Sequence, residues 1–518
     1  MQHAERSEGD ASADLVLRGG TVLVLDGADT RGTALAVRAG RVAAVGDDAD
    51  IDRLIGAGTR VVDLAGRAVI PGVNDSHLHA CWLGAIWPST FFGDAPAAGG
   101  GFGAGPEASG ASGASGASEA SGPEASGPEA SGPEASGHVV SEASGHAGDP
   151  HTAEAAPLVT SRAERRAAIL RAGELLASLG ITSYTEPGIG PGEDDGQTGC
   201  FGQDVFDAYV ELEAEGALRA RVNVLALFGL LDGASSLEAF AAGLRGLDRE
   251  TSRPDRLRVA GVKVFGDGIP PMLQAWTRHP YPDGSHGGLL VDGADLADRE
   301  RNLRAMIRLA HDAGLQVGVH ATGDRTIDTV IDEVARAVGD RPADLRHYVI
   351  HGDLAAPASI ERLARLGMGI NVQAGIAGAT SGWLAGVLGE EVARAAWPID
   401  AALRAGVLSL SSDAPILGPD WRQGIAAADA WMGAPADDAE RAARMGALLR
   451  ACTVAPARQD RAEAWKGTLA PGMVADLAVL ETDPFEVTPA ELPAVAVELT
   501  VVDGDIVYER VPAGAAAE

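Results

Sequence analysis

Cysteine is scarce. There are three in 518 residues, Cys81, Cys200 and Cys452, far apart and odd in number. That excludes a disulfide framework, and no CxxC pair offers a thiolate metal site. A basic surplus is missing too: 73 acidic residues stand against 41 basic ones, for a formal charge of −32. Nucleic acid and anionic membranes need a basic surface, so neither is an expected partner. A self-repelling acidic surface is the plain reading. No apolar run approaches the roughly 20 residues that span a bilayer. The N-terminal stretch "MQHAERSEGDASADLVLRGG" has no apolar leader segment. These absences lead to the expectation of a cytoplasmic protein with a small-molecule partner, and homo-oligomerisation is compatible with them.

Lysine and arginine are absent from Ala68 to Ser161. Within that gap "PEASG" recurs at 106, 123, 128 and 133, among ASG triplets. Residues 95–157 therefore carry too little apolar mass to offset their ordering entropy, and read as a low-complexity, acidic, flexible insert.

What is present is a core. Hydrophobic residues make up 46% of the chain, enough for a large folded body. Residues 13–70 alternate as short strands with Gly/Asp turns, and 465–510 repeat that texture in "ADLAVLETDPF" and "AVELTVVDGDIVYER". The two ends should pair into one β-sandwich domain, leaving 1–12 and 511–518 as tails. Between them, helical segments alternate with apolar, β-branched runs. The runs are "VIPGVNDSHLH", "GITSYTEPG", "RVNVLALFG", "VAGVKVFGDG", "LQVGVHATGD", "HYVIHGDL", "MGINVQAG" and "VLSLSSDAP". Eight such units over 71–464 predict an α/β fold, a (β/α)8 TIM-like barrel interrupted by the insert. Chemistry in such a barrel sits where its strands end.

The polar residues at those ends are of few kinds. His77 and His79 close the first run; residues i and i+2 of an extended chain share a face, so both can aim at one object. Lys263 lies in the fourth run, His320 ends the fifth, His351 the sixth and Asp413 the eighth. Imidazoles with a carboxylate favour a divalent metal, zinc first, with Mn, Fe or Co as alternatives. A cationic lysine would be repelled there. A neutral one can take up carbon dioxide as an anionic carbamate able to bridge two ions. The competing reading pairs Lys263 with Asp267 or Glu186.

These pieces resemble the amidohydrolase superfamily, in particular amidohydrolase family 3 and its N-substituted formamide deformylase-like branch. The matching segments are "PGVNDSHLHA", "GVKVFGDG", "VGVHATGDRTID", "VIHGDL", "SSDAP" and "GTLAPGMVADLAVLETDPF". The resemblance implies one or two metal ions at the barrel mouth. His77 and His79 would hold the first and His320 and His351 the second, with Lys263 bridging as a carbamate. Asp413 would bind metal and carry protons. The chain departs from the pattern at Asn74, where an apolar residue is common, and in "HGDL" and "HATGD".

The expected reaction is hydrolysis of a non-peptide carbon–nitrogen bond, in an amide, formamide or cyclic amide, by a metal-activated hydroxide with Asp413 as proton carrier. Trp82, Asp267, His286, Asp324 and Arg325 follow strand ends and are the candidate substrate contacts. Asp75 has two readings, orienting a histidine or capping a turn. Two alternatives compete. A single-metal deaminase of a heterocycle is disfavoured by "HATGDRT", which lacks the glutamate such enzymes place after the fifth strand. A non-catalytic scaffold is disfavoured because all six ligand candidates are present.

Overall fold

The computed structural model describes residues 12–94 and 157–511; the expected insert and tails lie outside that set, apart from single residues at their edges. Eight parallel strands form one sheet in chain order. They are β1 (Val73–Asp75), β2 (Ile181–Ile189), β3 (Arg221–Leu227), β4 (Leu257–Phe265), β5 (Gln316–Ala321), β6 (Tyr348–His351), β7 (Gly369–Val372) and β8 (Leu408–Leu410). β2, β3 and β5 are buried along their whole length. Both faces of a parallel strand in such a barrel are covered, and even the polar Thr182, Ser183, Thr185 and Glu186 of β2 are buried. Helices alternate with the strands. Arg162–Ser178, for example, starts at a capping box in which the Ser161 side chain accepts from Glu164 N–H.

The sheet curls into a nearly closed barrel, as the sequence predicts. Its seam lies between β8 and β1, which do not pair along the strands. Just past their ends the backbones join: Asp413 N–H donates to His77 O (2.8 Å) and His79 N–H to Ala414 O (2.7 Å). The two chain segments that carry candidate ligands therefore meet at the seam.

Both chain ends build the second body, as expected. In one sheet Leu477–Leu480 pairs antiparallel with Ala68–Pro71, beside Thr21–Leu23 and Val497–Val502. A four-stranded sheet of residues 15–18, 34–38, 41–46 and 60–63 completes it. Leu17, Leu35, Val69, Leu477 and Val501 from both ends share its core. The chain passes from Pro71 straight into β1.

The barrel floor, at the N-terminal end of the strands, is sealed by polar groups. Asn74 Nδ2 donates to Asp460 Oδ2 (2.7 Å), and Lys466 Nζ donates to the same oxygen (2.6 Å) and to Ser183 Oγ (2.7 Å). This accounts for the polar residue at 74: it helps satisfy a buried carboxylate. Also at this end His311 and His347, which precede β5 and β6, form a buried pair 2.9 Å apart.

Candidate metal centre

Strand register sets the ligand layout. Phe265 at the end of β4 pairs with His320 on β5, and Ala321 with His351 on β6. The His320 and His351 rings therefore stand side by side, 4.5 Å between centroids. His77 lies 5.3 Å from both His79 and His351. Asp413 Oδ1 closes the group, 3.1 Å from His77 Nε2 and 3.6 Å from His79 Nε2. His77, His79 and Asp413 are all buried and place one ligand atom each within 4.8 Å of the others.

The electrostatics favour the neutral form of His77 and His351. Burial, then the Lys263 charge, holds His77 well below the ordinary imidazole range; burial, then His320, does the same for His351. Neutral imidazole is the form that binds metal. His77 Nδ1 and His320 Nδ1 are buried with no hydrogen-bond partner. His351 (φ 70) and Asp413 (φ 58) both adopt left-handed backbone, which non-glycine residues avoid. Such strain gathers at functional sites.

Lys263 is 2% exposed. It pairs with neither Asp267 nor Glu186; its Nζ sits 4.6 Å from the Phe265 ring centre. Burial pushes its ammonium down to about 8, against the pull of Asp413 and Asp232. The chain has only two lysines, 263 and 466, and both are buried. Two lysines in 518 residues are a signal already present in the sequence.

Glu186 has a different role from the one considered for it. Its Oε1 lies 3.2 Å from His79 Nδ1, and its Oε2 accepts from Ala80 N–H (2.7 Å) and Tyr209 O–H (2.9 Å). A carboxylate behind a histidine fixes that ring so that Nε2 faces the cluster. Asp75 does not orient a ring. Its Oδ1 accepts from the backbone N–H groups of His77 and Ser412, both at 3.2 Å, and so bridges the seam.

The expected substrate contacts divide. Trp82 is buried 6.2 Å from the His79 ring and packs edge-on against Phe201. Asp267 is fully buried and is spent on the loops: it accepts from the backbone N–H groups of Thr322, Gly323 and Trp276. Its Oδ1 also lies 3.7 Å from His320 Nδ1. His286 Nδ1 turns to Thr277 O in its own loop (3.0 Å). Asp324 holds Arg278 through its main-chain N–H (2.9 Å) and guanidinium (2.8 Å). Arg325 stacks over Trp276, 5.7 Å from the ring centre, along a surface groove that shares no residue with the cluster.

The departures in "HGDL" and "HATGD" have local causes. Gly352 has φ +65, and a Cβ there would clash with Ile370 Cδ1, while the Thr322 hydroxyl donates to Gly268 O (2.6 Å). In the segments that follow β1, β4 and β7, Phe91, Ile269, Met272 and Trp383 are exposed apolar side chains, Trp383 on the helix Ala374–Leu388.

The fold defines a class first. An uncharacterized metal-dependent hydrolase from Pyrococcus furiosus superposes with TM-score 0.63, over 91% of this chain and 99% of its own, at 20% identity. At that identity the likeness speaks for the shared barrel-and-sandwich fold. The sequence profile of the amidohydrolase family matches residues 123–508, and the chain belongs to that family. His77 and His79 precede the matched range and reach the site through β1. Protein LONG AFTER FAR-RED 3 of Arabidopsis thaliana is 26% identical over 96% of this chain and 92% of its own length. YtcJ of Bacillus subtilis and the N-substituted formamide deformylase of Arthrobacter pascens are each 28% identical, over 48% and 49% of this chain. Those two matches span about half of the relatives' lengths, 47% and 46%. Among the described residues no helix is long and apolar enough to cross a membrane.

Proposed function

We propose that this chain is a metal-dependent hydrolase of a non-peptide carbon–nitrogen bond, in an amide, formamide or cyclic amide. The observation that carries the reading is the buried convergence of His77, His79 and Asp413 within 4.8 Å, next to two more imidazoles. The donor set fits a divalent ion, zinc first: burial disfavours the charged form of His77 and His351, and His77 Nδ1 and His320 Nδ1 are buried without hydrogen-bond partners. His77, His79, His320, His351 and Asp413 would hold one or two ions. Lys263 would join them as a carbamate, its neutral Nζ bonding the carbon of carbon dioxide and releasing a proton. A divalent ion supplies, when bound, polarisation of a carbonyl and acidification of water.

The residues do the rest. Glu186 keeps the His79 ring turned inward. Asp413 is fixed by its own N–H to His77 O, so its carboxylate stays against the histidines. From there it takes the proton of the attacking water and delivers it to the leaving nitrogen. The formamide deformylase relative supports the bond class. The test is a hydrolysis screen of N-formyl, N-acyl and cyclic amide substrates on zinc-reconstituted protein, with Asp413→Asn as the blank. Turnover of one class by the wild type alone is expected. No turnover of any class, with zinc bound, would contradict the assignment.

A further inference from the structure

Gln373 follows β7, the one strand among β5–β8 that offers no ligand candidate. Its side chain nevertheless reaches the cluster: Oε1 lies 2.8 Å from His351 Nδ1. Which atom of the amide faces the ring decides which nitrogen of the ring carries the proton. The neighbouring hydrogen bonds settle this from a fixed point.

The fixed point is the main-chain carbonyl of Ser76 on the far side of the seam, which can only accept. Asn371 Nδ2 donates to it (3.3 Å) and also contacts Ser76 Oγ. With its nitrogen there, Asn371 must turn Oδ1 the other way. That oxygen accepts from Gln373 Nε2 (2.8 Å) and from the Ser411 hydroxyl. Gln373 Nε2 also lies 2.9 Å from Ser411 Oγ. The nitrogen end of the amide thus faces Asn371 and Ser411, and Oε1 faces His351. An oxygen acceptor at 2.8 Å requires Nδ1–H on the ring, so Nε2 carries the lone pair. Asn371 and Gln373 are buried, so water does not compete for these bonds.

We infer that Gln373 is a positioning residue: through Asn371 and Ser411 it locks His351 in the Nδ1–H tautomer and so presents Nε2 for metal. The relay joins β1, β6, β7 and β8, and ties the orientation of one ligand to the strand that carries two others. The inference rests on the proposed metal role of His351, and its two measurements fail separately from it.

The first measurement uses full-length, metal-free protein labelled with 15N-histidine, the His351 signals being identified by their loss in His351→Gln. Protonated Nδ1 and unprotonated Nε2 are expected in the wild type, and a tautomer mixture in Gln373→Met. A wild-type His351 protonated at Nε2 would overturn the inference, whatever the protein binds. The second is zinc affinity by chelator competition on variants with unchanged circular dichroism. Gln373→Met removes the acceptor at similar volume and should weaken zinc by about 10- to 100-fold. Gln373→Glu keeps an acceptor for Nδ1–H and should recover most of that loss. Wild-type affinity in Gln373→Met, or no recovery in Gln373→Glu, would overturn it. Wild-type protein that takes up no zinc would instead overturn the metal reading, and the isotope measurement would still decide the tautomer.

Discussion

The two lysines of this chain sit at opposite ends of one barrel, both buried, and only one is answered. On the floor, Lys466 meets Asp460 and Ser183, and Asn74 shares the same carboxylate. At the mouth, Lys263 has no hydrogen bond or ion pair among the described residues, and its Nζ lies 4.6 Å from the Phe265 ring centre. A buried cation is costly unless paired. The floor meets that requirement and holds the fold together. The mouth does not, and the groups that feel the Lys263 charge include the His77 imidazole and Asp413, whose backbone is strained. The same side chain, buried in both places, is thus paired at one end and, among the described residues, unpaired at the other.

That contrast can be broken at either end. The largest effect belongs to the mouth. Asp413→Asn should lower turnover by about 10²- to 10⁴-fold while the metal stays bound, because it removes the proton carrier. Near wild-type rates in that variant would remove the role. Lys263→Ala should also lose activity, with its melting temperature nearly unchanged and partial rescue by short carboxylic acids, which can replace a carbamate. A fully active, metal-replete variant would contradict the carbamate.

At the floor the sign reverses. Lys466→Met leaves Asp460 buried with one fewer partner and should cost about 3–5 kcal/mol in denaturant unfolding, without specific loss of metal. Asn74→Ala removes a single donor from the same oxygen and should cost about 1–3 kcal/mol. Equal stability in both variants would mean that the floor network is dispensable.

The smallest effect concerns pH. Burial, then the His311 charge, lowers His347 to about 3. The folded value lies below the ordinary 6.5, so the unfolded chain takes up the proton first as pH falls. The stability this residue contributes is complete above about 6.5 and is lost as pH drops toward 3. His347→Gln should flatten part of the fall in melting temperature between pH 7 and 5; an unchanged slope would contradict this.

The barrel was legible because each of its strands carries its own apolar run, and the ligand candidates because they stand at the ends of those runs. What the sequence hid is long-range. Asn74 and Asp460 are 386 residues apart, and no local pattern joins them. Gln373 carries no motif; its importance comes from lying beside His351 in register. Asp267 follows β4 as a mouth residue should, yet three backbone N–H groups claim it, and only loop packing shows that. Glu186 sits in β2 between Thr185 and Pro187, and no local pattern points it to His79, 107 residues away.

The central claim is that the mouth, and not the floor, binds a divalent ion. Elemental analysis of folded protein purified without chelator tests it most directly. At least one ion per chain is predicted for the wild type and for Asn74→Ala, and none for His77→Ala/His79→Ala. A full complement of metal in the histidine variant, or wild-type protein that cannot be loaded, would contradict the account.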